Sequence, residues 1–182
     1  MESKRLSHEV FYSGRVFDLI IERVEYPSGA QAVREIARHP GGAATVPLTD
    51  DGRVLLVRQM RFPLGRFITE IPAGKLSPGE DPAQAAAREL AEETGYDARR
   101  MEKLAAVYTS PGFCDELLHL YLGRGLVARP EGPRREEGEQ SMTLESVPLA
   151  DAVQNALNGT YQDAKTILGL LLTERLLMRG SL

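Results

Sequence analysis

The sequence predicts a mixed α/β (α+β) fold, on three observations. Short β-branched runs separated by turn residues fill the first 40 positions, an Asp-Gly pair joins two apolar runs just after them, and stretches with helical apolar spacing follow, two of them near the C-terminus. The 182 residues suffice for one ordinary domain, or for one domain with a small appendage. A hydrophobic content of 42%, a charged content of 26%, and 17 glycines with 11 prolines describe a globular chain, neither disordered nor fibrous.

Val10 to Tyr12, Val16 to Tyr26 and Ala30 to Arg38 read as strands, separated by the turn residues Ser13-Gly14 and Pro27-Ser28-Gly29. His39-Pro40-Gly41-Gly42 then marks a change of pattern, so we expect a small antiparallel β unit over 1–39 and a larger domain over 40–182. Ala44 to Leu48 and Val54 to Gln59 flank Asp50-Asp51-Gly52-Arg53, a strong hairpin signal. Phe67 to Ile71 reads as a further strand. Pro82 to Thr94 reads as a helix, with proline in its first turn and Gly95 as its stop. Leu104 to Thr109 and Leu117 to Leu122 are strands, and Leu149 to Leu157 and Ala164 to Met178 have the i, i+3, i+4 spacing of amphipathic helices.

Composition excludes several classes of function. The net charge is −4 and no Lys/Arg cluster forms a phosphate-tracking stripe, so nucleic acid is not the expected partner. Ile167 to Leu172 is far short of the roughly 20 apolar residues a bilayer helix needs, which argues against a membrane span. The first residues lack the apolar core of a secretory signal, and the single Cys114 cannot form an intrachain disulfide. Both points suggest a reducing, cytoplasmic setting. Cys114 has no base at catalytic spacing, and His8, His39 and His119 have no partners at ligand spacing, so ordinary structural roles suit all four.

The Pro82–Thr94 helix carries the chemistry. At 3.6 residues per turn, Glu89, Glu92 and Glu93 fall within roughly 100° of arc, with Leu90, Ala83, Thr94 and Ala87 on the other side. Taken alone this could be a solvated acidic face. Yet three carboxylates with only Arg88 beside them repel one another, which points to a cation from outside the chain. An all-oxygen set suits Mg²⁺ or Mn²⁺ rather than Zn²⁺, and Mg²⁺ commonly serves phosphate-bearing substrates. The preceding loop, Ala73-Gly74-Lys75-Leu76-Ser77-Pro78-Gly79-Glu80, has two glycines at which backbone can approach a ligand closely.

Written out, Gly74, five residues, Glu80, seven residues, then Arg88-Glu89-Leu90-Ala91-Glu92-Glu93-Thr94-Gly95-Tyr96 resembles the signature of the Nudix hydrolases. Tyr96 departs from it where an aliphatic residue is preferred. The resemblance implies an αβα sandwich with a mixed sheet and Mg²⁺-dependent hydrolysis, with Mn²⁺ able to substitute, of a small-molecule nucleoside diphosphate linked to another moiety. Pro111 lies sixteen residues beyond Gly95, within Ser110-Pro111-Gly112-Phe113. That spacing, with Arg58-Gln59-Met60-Arg61-Phe62, Glu70-Ile71-Pro72-Ala73-Gly74 and Glu136-Glu137-Gly138-Glu139, is similar to the ADP-ribose pyrophosphatase branch, whose products would be AMP and ribose 5-phosphate.

By that resemblance, Glu89, Glu92, Glu93 and the Ala73 carbonyl would hold the metal, with Arg88 orienting the carboxylates. Glu137 is the better candidate for general base and Glu139 for a further metal contact, though sequence does not separate the two roles. Arg61 would grip a phosphate through its forked guanidinium, and Ser110 and Glu116 would contact the terminal ribose. Phe17 and Arg34 would contribute to the nucleotide pocket of a homodimer built through the N-terminal strands. Other substrates with the same core, such as flavin adenine dinucleotide, GDP-mannose or another sugar nucleotide, remain open. So does a non-catalytic nucleotide sensor. Glu93→Gln is expected to abolish metal-dependent turnover, and Glu2→Gln to leave it unchanged.

Overall fold

In the computed structural model the described residues are 3–135 and 137–180, so Glu2 and Glu136 lie outside them. The chain divides into two units: one holds the residues up to Gly41 together with Val107–Leu118, the other holds Gly42–Ala106 and the residues from His119 onward.

In the first unit, β1 (Lys4–Ser13), β2 (Asp18–Glu25) and β3 (Gln31–Arg38) form an antiparallel meander in sequence order. β1 reaches well before the expected Val10 because its polar half is tied across the sheet, where Arg5 donates to Glu22 at 3.0 Å and His8 Nδ1 lies 2.8 Å from the same carboxylate. Val16 and Phe17 precede β2 instead of opening it. β1 is the outer edge, and Val10, Phe11 and Tyr12 on it are exposed. The 107–118 segment is bonded to the end of β3: Ala37 N–H donates to the Phe113 carbonyl at 2.7 Å, and Asp115 N–H to the Ala37 carbonyl at 3.2 Å.

The second unit is built on β4 (Gly42–Leu48), every residue of which is buried. The Asp-Gly turn joins it to β5 (Arg53–Arg61), pairing Leu48 with Val54. Gly52 sits at φ +80°, a conformation that side chains resist. β6 (Arg66–Glu70) pairs with the far half of β5, and a short strand with no expectation behind it, β7 (Ala73–Lys75), pairs with the start of β4. α1 (Pro82–Thr94) is followed by β8 (Tyr96–Tyr108) and β9 (Leu117–Ala128), then β10 (Thr143–Pro148), α2 (Leu149–Leu157) and α3 (Ala164–Met178). The sheet runs β10-β5-β4-β9-β8. The three helices carry the expected bounds.

Neighbouring residues on β4 locate the layers. Thr45 Oγ1 donates to the Ala86 carbonyl of α1 at 3.0 Å, whereas Val46 packs against Gly169 of α3, so the two helices lie on opposite faces of the sheet. This is an αβα sandwich. Its core takes in Leu56, Val57, Ile71, Leu90, Leu120 and Leu170, all nearly without exposure. Among the described residues no helix is long and apolar enough to cross a membrane.

Candidate functional site

Local sequence fixes the phase of α1. The Asp81 carboxylate accepts from Ala83 N–H at 2.9 Å and Gln84 N–H at 3.2 Å, and Pro82 spends no donor in the first turn. Gly95, at φ 77°, ends the helix and donates to the Ala91 carbonyl. With Ala85, Ala86 and Leu90 facing the sheet, the three carboxylates grade inward: the Glu92 side chain is 39% exposed, that of Glu89 12%, and Glu93 only 2%.

Arg88 ties the loop before the helix to the acidic face. Nε and Nη2 fork onto Glu80 at 2.9 and 3.1 Å, Nη1 donates to Glu89 at 2.7 Å and Glu92 at 3.0 Å, and Nη2 also reaches the Lys75 carbonyl. The Glu89 carboxylate lies directly over Gly74, where an added Cβ would come within 2.0 Å of it. The Arg88 fork and the Ser77 N–H hold the Glu80 carboxyl down at about 2. Since the unfolded value is 4.5, this pair contributes stability above pH 4.5 that is lost as pH falls toward 2. Urea denaturation of Glu80→Gln should therefore show a deficit against the parent at pH 6 that closes by about pH 2.

Glu93 has the opposite character. Burial first, then the charges of Glu139 and Glu89, push its carboxyl up to about 8, against the pull of the Ala73 N–H and Lys165. Burial likewise raises Glu89, opposed by Arg88 and assisted by Glu92 and Glu139. The Glu137–Glu139 turn is thus electrostatically joined to the helix face. This donor set, all oxygen and crowded with like charge, fits a hard divalent cation. Among the described residues no three Asp, Glu, His or Cys side chains close on a single point, and each carboxylate has another partner: Arg88 holds Glu89 and Glu92, and Ala73 N–H donates to Glu93 at 3.2 Å.

Arg61, expected at a phosphate, forks onto Glu70 at 2.6 Å through both Nε and Nη2, yet keeps 39% of its side-chain surface exposed. Glu70 is buried and also bonded by Lys165, which in turn lies 3.0 Å from Asp163, the N-cap of α3. Sequence reading missed this network, because Glu70 is separated from Lys165 by 95 positions. Arg135 was missed as well; its guanidinium reaches the Glu93 carbonyl at 3.0 and 2.9 Å.

The remaining expected residues belong to the first unit. Arg34 is bonded to the Tyr26 hydroxyl and lies over its ring. Phe17 lines a shallow depression with Arg15, Arg38 and His39. The Ser110 carbonyl accepts from Phe113 and Cys114 N–H, closing the turn there. Glu116 accepts from Thr109 Oγ1 at 2.7 Å and lies 3.4 Å from His39 Nδ1.

Comparison with known proteins gives consistent results. A NUDIX domain model matches residues 38–168. The chain is 45% identical over 166 residues to the ADP-ribose pyrophosphatase of Bacillus subtilis (strain 168), covering 91% of this chain and 89% of that one. It is 42% identical over 169 residues to the methanol dehydrogenase activator of Bacillus methanolicus, covering 93% and 91%. A crystal structure of an ADP compounds hydrolase superposes with a TM-score of 0.84 over 100% of this chain and 98% of that one; at 21% identity the likeness is one of fold.

Proposed function

The chain belongs to the NUDIX family, and from that membership we propose that it is an Mg²⁺-dependent pyrophosphatase converting ADP-ribose to AMP and ribose 5-phosphate. It is a Nudix hydrolase, an enzyme with a small nucleotide substrate, and Nudix hydrolases in general use a divalent metal. The observation that carries the mechanism is the Glu93 carboxyl, 2% exposed and crowded by the charges of Glu139 and Glu89. A carboxyl held this way keeps its proton at neutral pH unless a cation beside it favours the charged form.

In this reading Glu89, Glu92, Glu93, Glu139 and the Ala73 carbonyl hold Mg²⁺, with Mn²⁺ able to replace it. A divalent ion there supplies neutralisation of the diphosphate and a more acidic water. Arg88 orients Glu89 and Glu92 while drawing on Glu80 for its own placement. A carboxylate oxygen of Glu137 or Glu139 takes the proton of the attacking water, worth about 10² to 10⁴ in rate. Water oxygen bonds to one phosphorus as the bridging oxygen departs with the other, so one phosphomonoester is made on each side. Arg61 binds the diphosphate through its exposed edge, Ser110 and Glu116 bind the terminal ribose, and Phe17 and Arg34 serve the nucleotide.

The 45% identity to an ADP-ribose pyrophosphatase supports this substrate over the other nucleotide sugars. Turnover with Mg²⁺ of ADP-ribose, flavin adenine dinucleotide and GDP-mannose, with product analysis, tests it: AMP and ribose 5-phosphate from ADP-ribose at the highest kcat/KM are expected, and preference for either competitor would replace the reading. The solvent-facing β1 edge, with Val10, Phe11 and Tyr12, suits pairing with a second copy through residues 1–39, so a homodimer is proposed; a monomer-sized species alone in size-exclusion chromatography would remove it. The single cysteine suits a cytoplasmic setting.

A further inference from the structure

The last carbonyls of a helix have no donors within it, and a covered one left unpaired is costly. In α1 a single segment after β9 answers most of them. Arg129 N–H donates to the Gly95 carbonyl at 2.8 Å and Arg134 N–H to the Glu92 carbonyl at 2.8 Å. The Glu93 carbonyl is taken by a side chain instead, accepting from Arg135 Nε at 3.0 Å and Nη2 at 2.9 Å. The third nitrogen, Nη1, turns the other way and donates to the Met142 carbonyl. Met142 N–H in turn donates to the Glu139 carbonyl at 2.9 Å. One guanidinium therefore spans the neck of the 135–142 loop and fastens it to the main chain of the residue whose carboxyl lies deepest in the acidic cluster. Glu137 and Glu139 lie inside that span.

We infer that Arg135 is a positioning residue: by closing the 135–142 loop onto the Glu93 carbonyl, it sets where the Glu137 and Glu139 carboxylates stand over the α1 cluster. The inference rests on the proposed roles of that turn in proton transfer and metal contact. A guanidinium suits the task because its rigid fork presents donors in two directions, whereas a lysine ammonium is a point charge that reaches one carbonyl and abandons the other. Its positive charge also meets the negative end of the helix dipole.

The test uses the full-length protein and its Arg135→Ala, Arg135→Lys and Arg135→Gln variants. With ADP-ribose and saturating Mg²⁺, Arg135→Ala lowers kcat at least about tenfold with KM within about threefold, as expected when a proton-transfer group is misplaced and substrate binding is not. Arg135→Lys recovers part of the loss, and Arg135→Gln supplies the comparison if the alanine variant folds poorly. A second readout needs no turnover: without substrate or metal, the Met142 amide exchanges at least about tenfold faster in Arg135→Ala than in the parent, while amides of β4 are unchanged. A kcat within about twofold of the parent, a raised KM at unchanged kcat, or unaltered Met142 exchange overturns the inference. If the parent itself fails to hydrolyse ADP-ribose, the substrate reading falls, and the exchange result alone decides whether the clamp stands.

Discussion

Glu93→Gln is expected to lower Mg²⁺-dependent turnover by at least about 10³-fold, since metal stabilisation of the transition state is worth several kcal/mol and each 1.36 kcal/mol is tenfold. The amide keeps the shape of the side chain and an oxygen that can accept from Ala73 N–H, and loses the charge and one carboxylate oxygen. A second consequence concerns stability. The folded carboxyl titrates at about 8 against 4.5 in the unfolded chain, so between those values the native state holds a proton the unfolded state has lost, and metal-free stability falls as pH rises through the window. Glu93→Gln lacks that slope. Scanning calorimetry without metal should show the variant gaining on the parent between pH 5 and pH 8.5, and Mg²⁺ should reverse the order by binding the folded parent alone. Undiminished turnover in Glu93→Gln would overturn the mechanism.

Gly74→Ala should be nearly as damaging, for a reason of space. A Cβ there would lie 2.0 Å from Glu89 Cδ and Oε1 and 2.4 Å from Oε2, so the carboxylate must leave the place where Arg88 holds it. We expect loss of Mg²⁺ affinity, a fall of about 10²-fold in kcat/KM, and about 1–3 kcal/mol of destabilisation from overpacking. Gly169→Ala separates the two effects. Its Cβ would meet Val46 Cγ2 at 2.8 Å and Ile71 Cδ1 at 3.3 Å on the α3 side of the sheet, so it should reduce stability and leave kcat per folded molecule and the Mg²⁺ requirement unchanged. Equal loss of activity in both variants would reduce Gly74 to a packing residue.

The legible parts of the fold were those with local punctuation. Asp81, Pro82 and Gly95 delimit α1 by capping chemistry that needs no tertiary partner, and Gly52 marks its hairpin in the same way. β7 was invisible because Ala73-Gly74-Lys75 has no strand propensity and exists as a strand through pairing with Gly42 to Ala44. The first half of β8 was hidden by charge: exposed Asp97, Arg99 and Arg100 interrupt the apolar pattern, although Ala98 and Met101 beside them are partly buried. At the site, the acidic stripe and its glycine loop were readable from spacing alone. The Arg135 clamp was not, because its acceptors are main-chain carbonyls, which leave no mark in side-chain identity. Glu70 gave no local signal of its role, because its burial among Arg61 and Lys165 depends on β5, β6 and α3 meeting.

The unit containing β1 to β3 is not contiguous in sequence, for it also claims Val107–Leu118 from the turn where β8 gives way to β9. Ala37 is stitched to that turn on both sides, by its N–H to Phe113 and by its carbonyl to Asp115. Genetic excision of the first 41 residues would therefore strip these hairpin-tip amides of their partners along with the meander itself. The meander and that distant turn thus share hydrogen bonds that a cut at Gly41 would break.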